Sequence, residues 1–109
     1  MTISYKILGQ VNPTANSLNT IYTVPQSNSA VISTIVVCNL SGNTSTFRLA
    51  AVPSGNTISS KHYINFDTPV PGSDSIAITI GATLSANDSI IANTPSSNIG
   101  ITIFGSELY

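Results

Sequence analysis

A chain of 109 residues with three Lys/Arg, four Asp/Glu and a net charge of −1 lacks the basic stripe that nucleic acid requires and has few acids for the paired carboxylates of a glycosidase. Charged residues make up 6% of it, against ~25% in an average soluble domain, while Ser, Thr and Asn fill about two positions in five. Lys6, Arg48 and Lys61 stand far apart, and no apolar run reaches the ~20 residues of a membrane-spanning helix. The opening Met1-Thr2-Ile3-Ser4-Tyr5-Lys6 has no basic segment followed by an apolar stretch, so no secretory leader is expected. What remains is a polar, nearly uncharged surface without the lysines that normally keep strand edges apart. Such a molecule is colloidally poor alone and suits a subunit that neighbours cover.

β-Branched residues dominate and strong helix formers are rare, so the runs read as strands. The first, Ile3 to Leu8, alternates Ile3, Tyr5 and Ile7 against Ser4 and Lys6. A loop from Gly9 to Asn19 follows, and the second strand, Thr20 to Val24, stops at Pro25. The third, Ala30 to Cys38, is apolar on both faces, with Val31, Ile35 and Val37 on one and Ile32, Val36 and Cys38 on the other. That predicts a central strand covered on both sides. Ser41-Gly42-Asn43 predicts a hairpin turn into the fourth strand, Ser45 to Val52, with Phe47, Leu49 and Ala51 inward and Arg48 outward.

The fifth strand spans Lys61 to Phe66, and a Pro-rich connection, Asp67 to Asp74, leads to the sixth, Ser75 to Ile80, where Ile76, Ile78 and Ile80 share a face. Gly72 and Gly81 read as turn glycines. The seventh strand, Asp88 to Ala92, is short, and the eighth runs from Ile99 to Leu108. About eight short strands punctuated by turn residues predict an all-β, single-domain antiparallel β-sandwich over residues 1–109, jelly-roll-like in its strand count. An immunoglobulin-like sandwich is the alternative, although the chain has no Trp and no Cys pair.

Catalytic chemistry has few residues to stand on. The lone His62 follows Ser59 and Ser60, but serines are everywhere, so adjacency is weak evidence for a triad. The expected role of His62 is packing or a backbone hydrogen bond. Asp67, Asp74, Asp88 and Glu107 lie in or beside loops, where turn and strand-start roles account for them. The Asp67/Asp74 loop is the one place a calcium ion would find acids close together. Cys38, in an apolar run, reads as a small buried hydrophobe. Tyr5, Tyr22, Tyr63 and Tyr109 are the material for a sugar-stacking platform, with Tyr63 its best candidate. No catalytic, cofactor-binding or metal-ligating set is expected.

In order along the chain, Tyr5-Lys6-Ile7-Leu8-Gly9-Gln10, Ile21-Tyr22-Thr23-Val24-Pro25, Val31 to Asn39 and Phe47-Arg48-Leu49-Ala50 resemble a family of small structural proteins of tailed bacteriophages, cyanophage-like in their Asn- and Ile-rich drift. His62-Tyr63-Ile64-Asn65-Phe66-Asp67, Pro69-Val70-Pro71 and Phe104-Gly105-Ser106-Glu107 continue the likeness. The resemblance implies a virion component without catalysis, no cofactor, and partners that are other particle proteins. The expectation is a capsid decoration (cement) protein on the capsid exterior, a homotrimer bound to the major capsid protein. A tail, neck or baseplate component is the first alternative, and a carbohydrate-binding host-attachment module the second. Met1, Thr2, Ile3, Leu108 and Tyr109 are the candidate interface residues, extending from the sandwich to a neighbour, with Tyr109 as the anchor.

Overall fold

Each β-branched run becomes a strand, and each Pro, Gly, Asn or Ser cluster ends one. The computed structural model describes all 109 residues. Its strands are β1 (Ile3–Val11), β2 (Asn19–Thr23), β3 (Ser29–Asn39), β4 (Ser45–Val52), β5 (Tyr63–Val70), β6 (Ser75–Leu84), β7 (Ser89–Asn93) and β8 (Ile99–Leu108). One turn of 3-10 helix, Ser60–His62, precedes β5.

Two antiparallel four-stranded sheets form, the first in the order β1-β8-β3-β6 and the second in the order β2-β7-β4-β5. Only β4 and β5 are consecutive in sequence and adjacent in a sheet; every other connection crosses between sheets. That interleaving is jelly-roll wiring. In an immunoglobulin sandwich the first two strands pair within one sheet, and here β1 and β2 lie in different sheets.

The sheets close on a core from both inner faces. Ile32, Ile35 and Val37 of β3 and Ile99, Ile101 and Ile103 of β8 meet Phe47 and Leu49 of β4, Val70 of β5 and Ile90 of β7. The shortest dimension of the molecule, 19 Å, fits two sheets ~10 Å apart with side chains outside. Phe47 is the one aromatic ring fully enclosed, and aliphatic side chains supply the rest.

Bulges redirect several side chains. The β3 register slips between Ile32 and Thr34 against both neighbours, so Ile32 turns inward beside Ile35 and Val37. On the β6 side the slip is absorbed near Gly81, whose φ of +57° only glycine adopts without strain. Gly81 is therefore a bulge residue inside a strand, not a turn glycine. Gly105 lies between the β1 bulge at Ile7/Gly9 and the β3 bulge, and a Cβ there would run into the Val31 carbonyl oxygen.

Several expectations change. β3 is covered on one side only, and Cys38 is half-exposed on the bare outer face of the first sheet rather than buried. Asn39 to Asn43 does not form a hairpin, because β3 and β4 lie in different sheets. The buried Asn39 braces that crossing instead. Its Nδ2 donates to the carbonyls of Asn43 (2.7 Å) and Val70 (3.1 Å), and its Oδ1 accepts from Ser41 N–H and Oγ–H. β5 begins at Tyr63 and runs through Pro69, which an edge strand tolerates.

Candidate functional site

The outer face of the first sheet is the largest unusual surface. Cross-strand partners share a face, so the registers Ile3↔Leu108, Tyr5↔Ser106 and Ile7↔Phe104 set Ile3, Tyr5 and Ile7 beside Leu108 and Phe104. Toward β6 the face continues through Val31, Thr34 and Val36, then Thr83, Thr79 and Ala77. No charged side chain lies among these residues. Tyr5 is 82% exposed, Ile7 50%, Ile3 45% and Phe104 38%, with Tyr109 at 55% on the margin. At ~200 Å² per aromatic ring and ~100 Å² per aliphatic side chain, these residues show about 450 Å² of apolar area to solvent. That is the middle of the range for the largest patch on a soluble monomer, ~300–600 Å².

Both edges of this sheet are long. β1 has nine residues and β6 ten, and β6 carries no charge, no proline and a single bulge. Natural edge strands are normally short, charged or kinked. The second sheet follows that rule: β2 has five residues, and β5 carries Asp67 and Pro69.

The five candidate interface residues come together at the β1/β8 end of the patch. They do not extend as arms. Thr2 N–H donates to the Tyr109 carbonyl, and Tyr109 N–H donates to the Thr2 carbonyl at 2.9 Å, continuing the β1–β8 ladder. Met1, Thr2, Ile3 and Tyr109 are exposed and Leu108 is half-buried.

Beneath that end sits an inward-facing acid that sequence reasoning assigned to a loop role. Glu107 is 5% exposed; its carboxylate accepts the Tyr22 hydroxyl at 2.6 Å and pairs with Lys6 Nζ at 2.6 Å. The hydrogen bond from Lys6, then that from Tyr22, holds the Glu107 carboxyl below the usual carboxylate range. Burial, reinforced by the acceptor Glu107, pushes the Tyr22 hydroxyl well above its usual value. The trio ties β1, β2 and β8 together and is structural.

A second constellation lies on the outer face of the other sheet. Arg48 of β4 donates from Nε to Asp67 Oδ1 (2.7 Å) and from Nη2 to Oδ2 (3.2 Å), a bidentate pair. The guanidinium rests 3.9 Å from the centroid of the Phe66 ring, and Tyr63 meets Phe66 edge-on at 5.1 Å. The hydrogen bond from Arg48 lowers the Asp67 carboxyl below its ordinary value. Asn16, Thr46, Asn93 and Pro95 complete a hollow of about 200 Å³ lined by no apolar side chain other than proline. The strand register, not the sequence alone, brings this pair together. The β4–β5 register Ser45↔Val70, Thr46↔Pro69, Phe47↔Thr68 brings Asp67 opposite Arg48.

The remaining candidates stay apart. His62 is buried in the helical turn, where its Nδ1 accepts the Ser59 N–H at 3.0 Å; no carboxylate or hydroxyl bonds to it. Asp88 accepts from Ser54 N–H and Ser85 N–H, both at 2.8 Å, and Asp74 from Ser75 N–H at 2.8 Å, which are the turn roles expected of them. Asp67 lies in β5 rather than in a loop with Asp74, and no three His, Cys, Asp or Glu side chains converge. The tyrosines are dispersed, with Tyr63 beside Phe66 as the nearest approach to an aromatic shelf. No helix is long and apolar enough to cross a membrane. No known protein family matches the chain, and no curated protein matches it.

Proposed function

We propose that this protein is a non-enzymatic structural subunit that works inside an assembly, with copies of itself as its first partner. The uncharged outer face of the first sheet carries this reading. A standard interface buries ~800 Å² per partner, of which ~56–58% is non-polar. The apolar area shown by Tyr5, Phe104, Tyr109, Ile3 and Ile7, about 450 Å² from their exposures, matches that need. The charge-free β6 edge on the far side of the same sheet is a second adhesive surface. Patch against edge is a head-to-tail contact, and such contacts give a ring when the rotation between subunits closes. A homotrimer is the ring we favour.

The assembly we infer is a bacteriophage virion, with the protein as a capsid decoration (cement) subunit on the capsid exterior, bound to the major capsid protein. The ordered likeness of the strand phrases to small phage structural proteins supports this, as does a surface that tolerates so little charge only when covered. Immunogold electron microscopy of virions, with antibody against the purified chain, tests it. Label on the capsid at local symmetry axes is expected. Label confined to tails would overturn the decoration role and favour a tail, neck or baseplate position. An unlabelled particle would overturn the virion reading.

A further inference from the structure

The Arg48–Asp67 hollow lies on the sheet opposite the uncharged face, and the assembly just described makes no use of it. Its chemistry is specific. The side-chain amides of Asn16 and Asn93 and the Thr46 hydroxyl line it, and none of them is engaged by another group of the chain. Arg48 has five N–H donors; two go to Asp67 and Tyr63 competes for the rest. The Asp67 carboxylate keeps lone pairs beyond the two it uses. Both donors and acceptors therefore line one small space.

The charge inside is balanced. Arg48 is already neutralised by a bidentate carboxylate, so an anion gains little there, and a cation would meet a single acid. Asn16 and Asp67, both lining the hollow, hold left-handed backbone at φ +58° and +52°. Ser27, Ser73 and Asn87, outside the hollow, share that conformation, so it belongs to the turns and the β5 bulge and not to the hollow in particular. Beside the polar hollow, Ser60, Tyr63 and Phe66 border a shallow apolar shelf. Phe66 is more than half exposed, and the Arg48 contact and the Tyr63 edge fix its ring.

We propose that this hollow binds one ring of a neutral saccharide. Each sugar hydroxyl both donates and accepts, which suits the Asn16, Asn93, Thr46, Arg48 and Asp67 groups. The Tyr63/Phe66 shelf shares no lining residue with the hollow, and one face of Phe66 carries the Arg48 guanidinium, so the shelf borders the seat of the ring rather than forming it. The volume, about 200 Å³, equals roughly seven waters of bulk liquid, room for a single ring. One ring with few buried atoms binds weakly, with a Kd of ~1 mM.

The test is a nitrogen–proton NMR titration of the whole chain with the methyl glycosides of glucose, galactose, mannose and N-acetylglucosamine, and separately with sodium phosphate and sodium sulfate. At least one glycoside is expected to shift the Asn16 and Asn93 side-chain amides and the Arg48 Nε–H saturably. Asn93→Ala and Thr46→Val, at solvent-facing positions, should each weaken that binding about tenfold without lowering the unfolding temperature or changing the oligomeric mass. Asp67→Asn, checked for folding by circular dichroism, should do the same to binding. Absence of shifts at these groups with every glycoside would overturn the proposal. So would shifts that persist in the Asn93→Ala/Thr46→Val double variant, or shifts produced by phosphate or sulfate alone. Because the readout is local to the second sheet, failure here leaves the assembly reading standing, and failure of assembly leaves this site standing.

Discussion

Replacing Tyr22 by Phe isolates the buried Glu107 anchor. The ring stays in the core and only the hydroxyl that reaches Glu107 at 2.6 Å is lost. A hydrogen bond to a charged group contributes ~1.5–3 kcal/mol to stability. Lys6 still pairs with the carboxylate in the variant, so the loss falls in the lower half, about 2 kcal/mol. For a domain near a hundred residues that lowers the thermal midpoint by about 8 °C. The pH dependence carries a second signature. Glu107 has a lowered folded pKa, so its stabilisation is present above the unfolded carboxylate value of ~4.3 and disappears as pH falls through the folded value. Removing the Tyr22 donor raises that folded value and moves the acid limb upward in pH. Tyr22 itself has a raised folded pKa, so its share of stability is complete below ~10 and declines above it. Tyr22→Phe abolishes that alkaline decline. Urea unfolding followed by circular dichroism across pH measures all three effects. A midpoint within ~0.5 kcal/mol of the parent protein and an unmoved acid limb would refute the reasoning.

Phe47→Ala removes the one enclosed aromatic ring and should cost about 3–5 kcal/mol in urea denaturation; a loss under ~1 kcal/mol would mean the sheets collapse onto the space. Gly105→Ala forces a methyl group against the Val31 carbonyl between two bulges and should cost about 2–3 kcal/mol, read as a fall in thermal midpoint. Asn65 Oδ1 is buried without a hydrogen-bond partner, and its Nδ2 makes only a long bond to Thr68 Oγ1 at 3.4 Å, so Asn65→Leu should stabilise by up to about 1 kcal/mol in the same urea assay. A destabilised Asn65→Leu would show that the amide is satisfied.

Strand existence was legible because alternation survives in the letters. Ile76, Ile78 and Ile80 read as sharing one face, and they pack on the core. The bulges were not legible. One extra residue at Ser33 reverses the faces of Val31 and Ile32 relative to Ile35, and nothing in the run Val31 to Val37 marks where the slip falls. Cys38 was misread for a related reason: an apolar run looks the same whether one side of its sheet is bare or covered. Glu107 resembles any strand-end acid in sequence, and its direction is fixed only by the register Ser4↔Glu107↔Ala30. The Arg48–Asp67 pair was latent in the β4–β5 register, but the strand assigned to Lys61–Phe66 stopped one residue short of it. The charge-free β6 edge followed directly from composition once the sheet order was known.

The most direct measurement is the oligomeric mass of the purified chain by sedimentation velocity, beside Tyr5→Lys and Ile7→Lys. Each substitution puts a charge on the bare face of the first sheet without touching the core. A parent protein that sediments as a small oligomer, with both variants monomeric and fully folded, is the predicted result. A parent protein that remains a soluble monomer at high concentration, or an oligomer that both lysines leave intact, would contradict it.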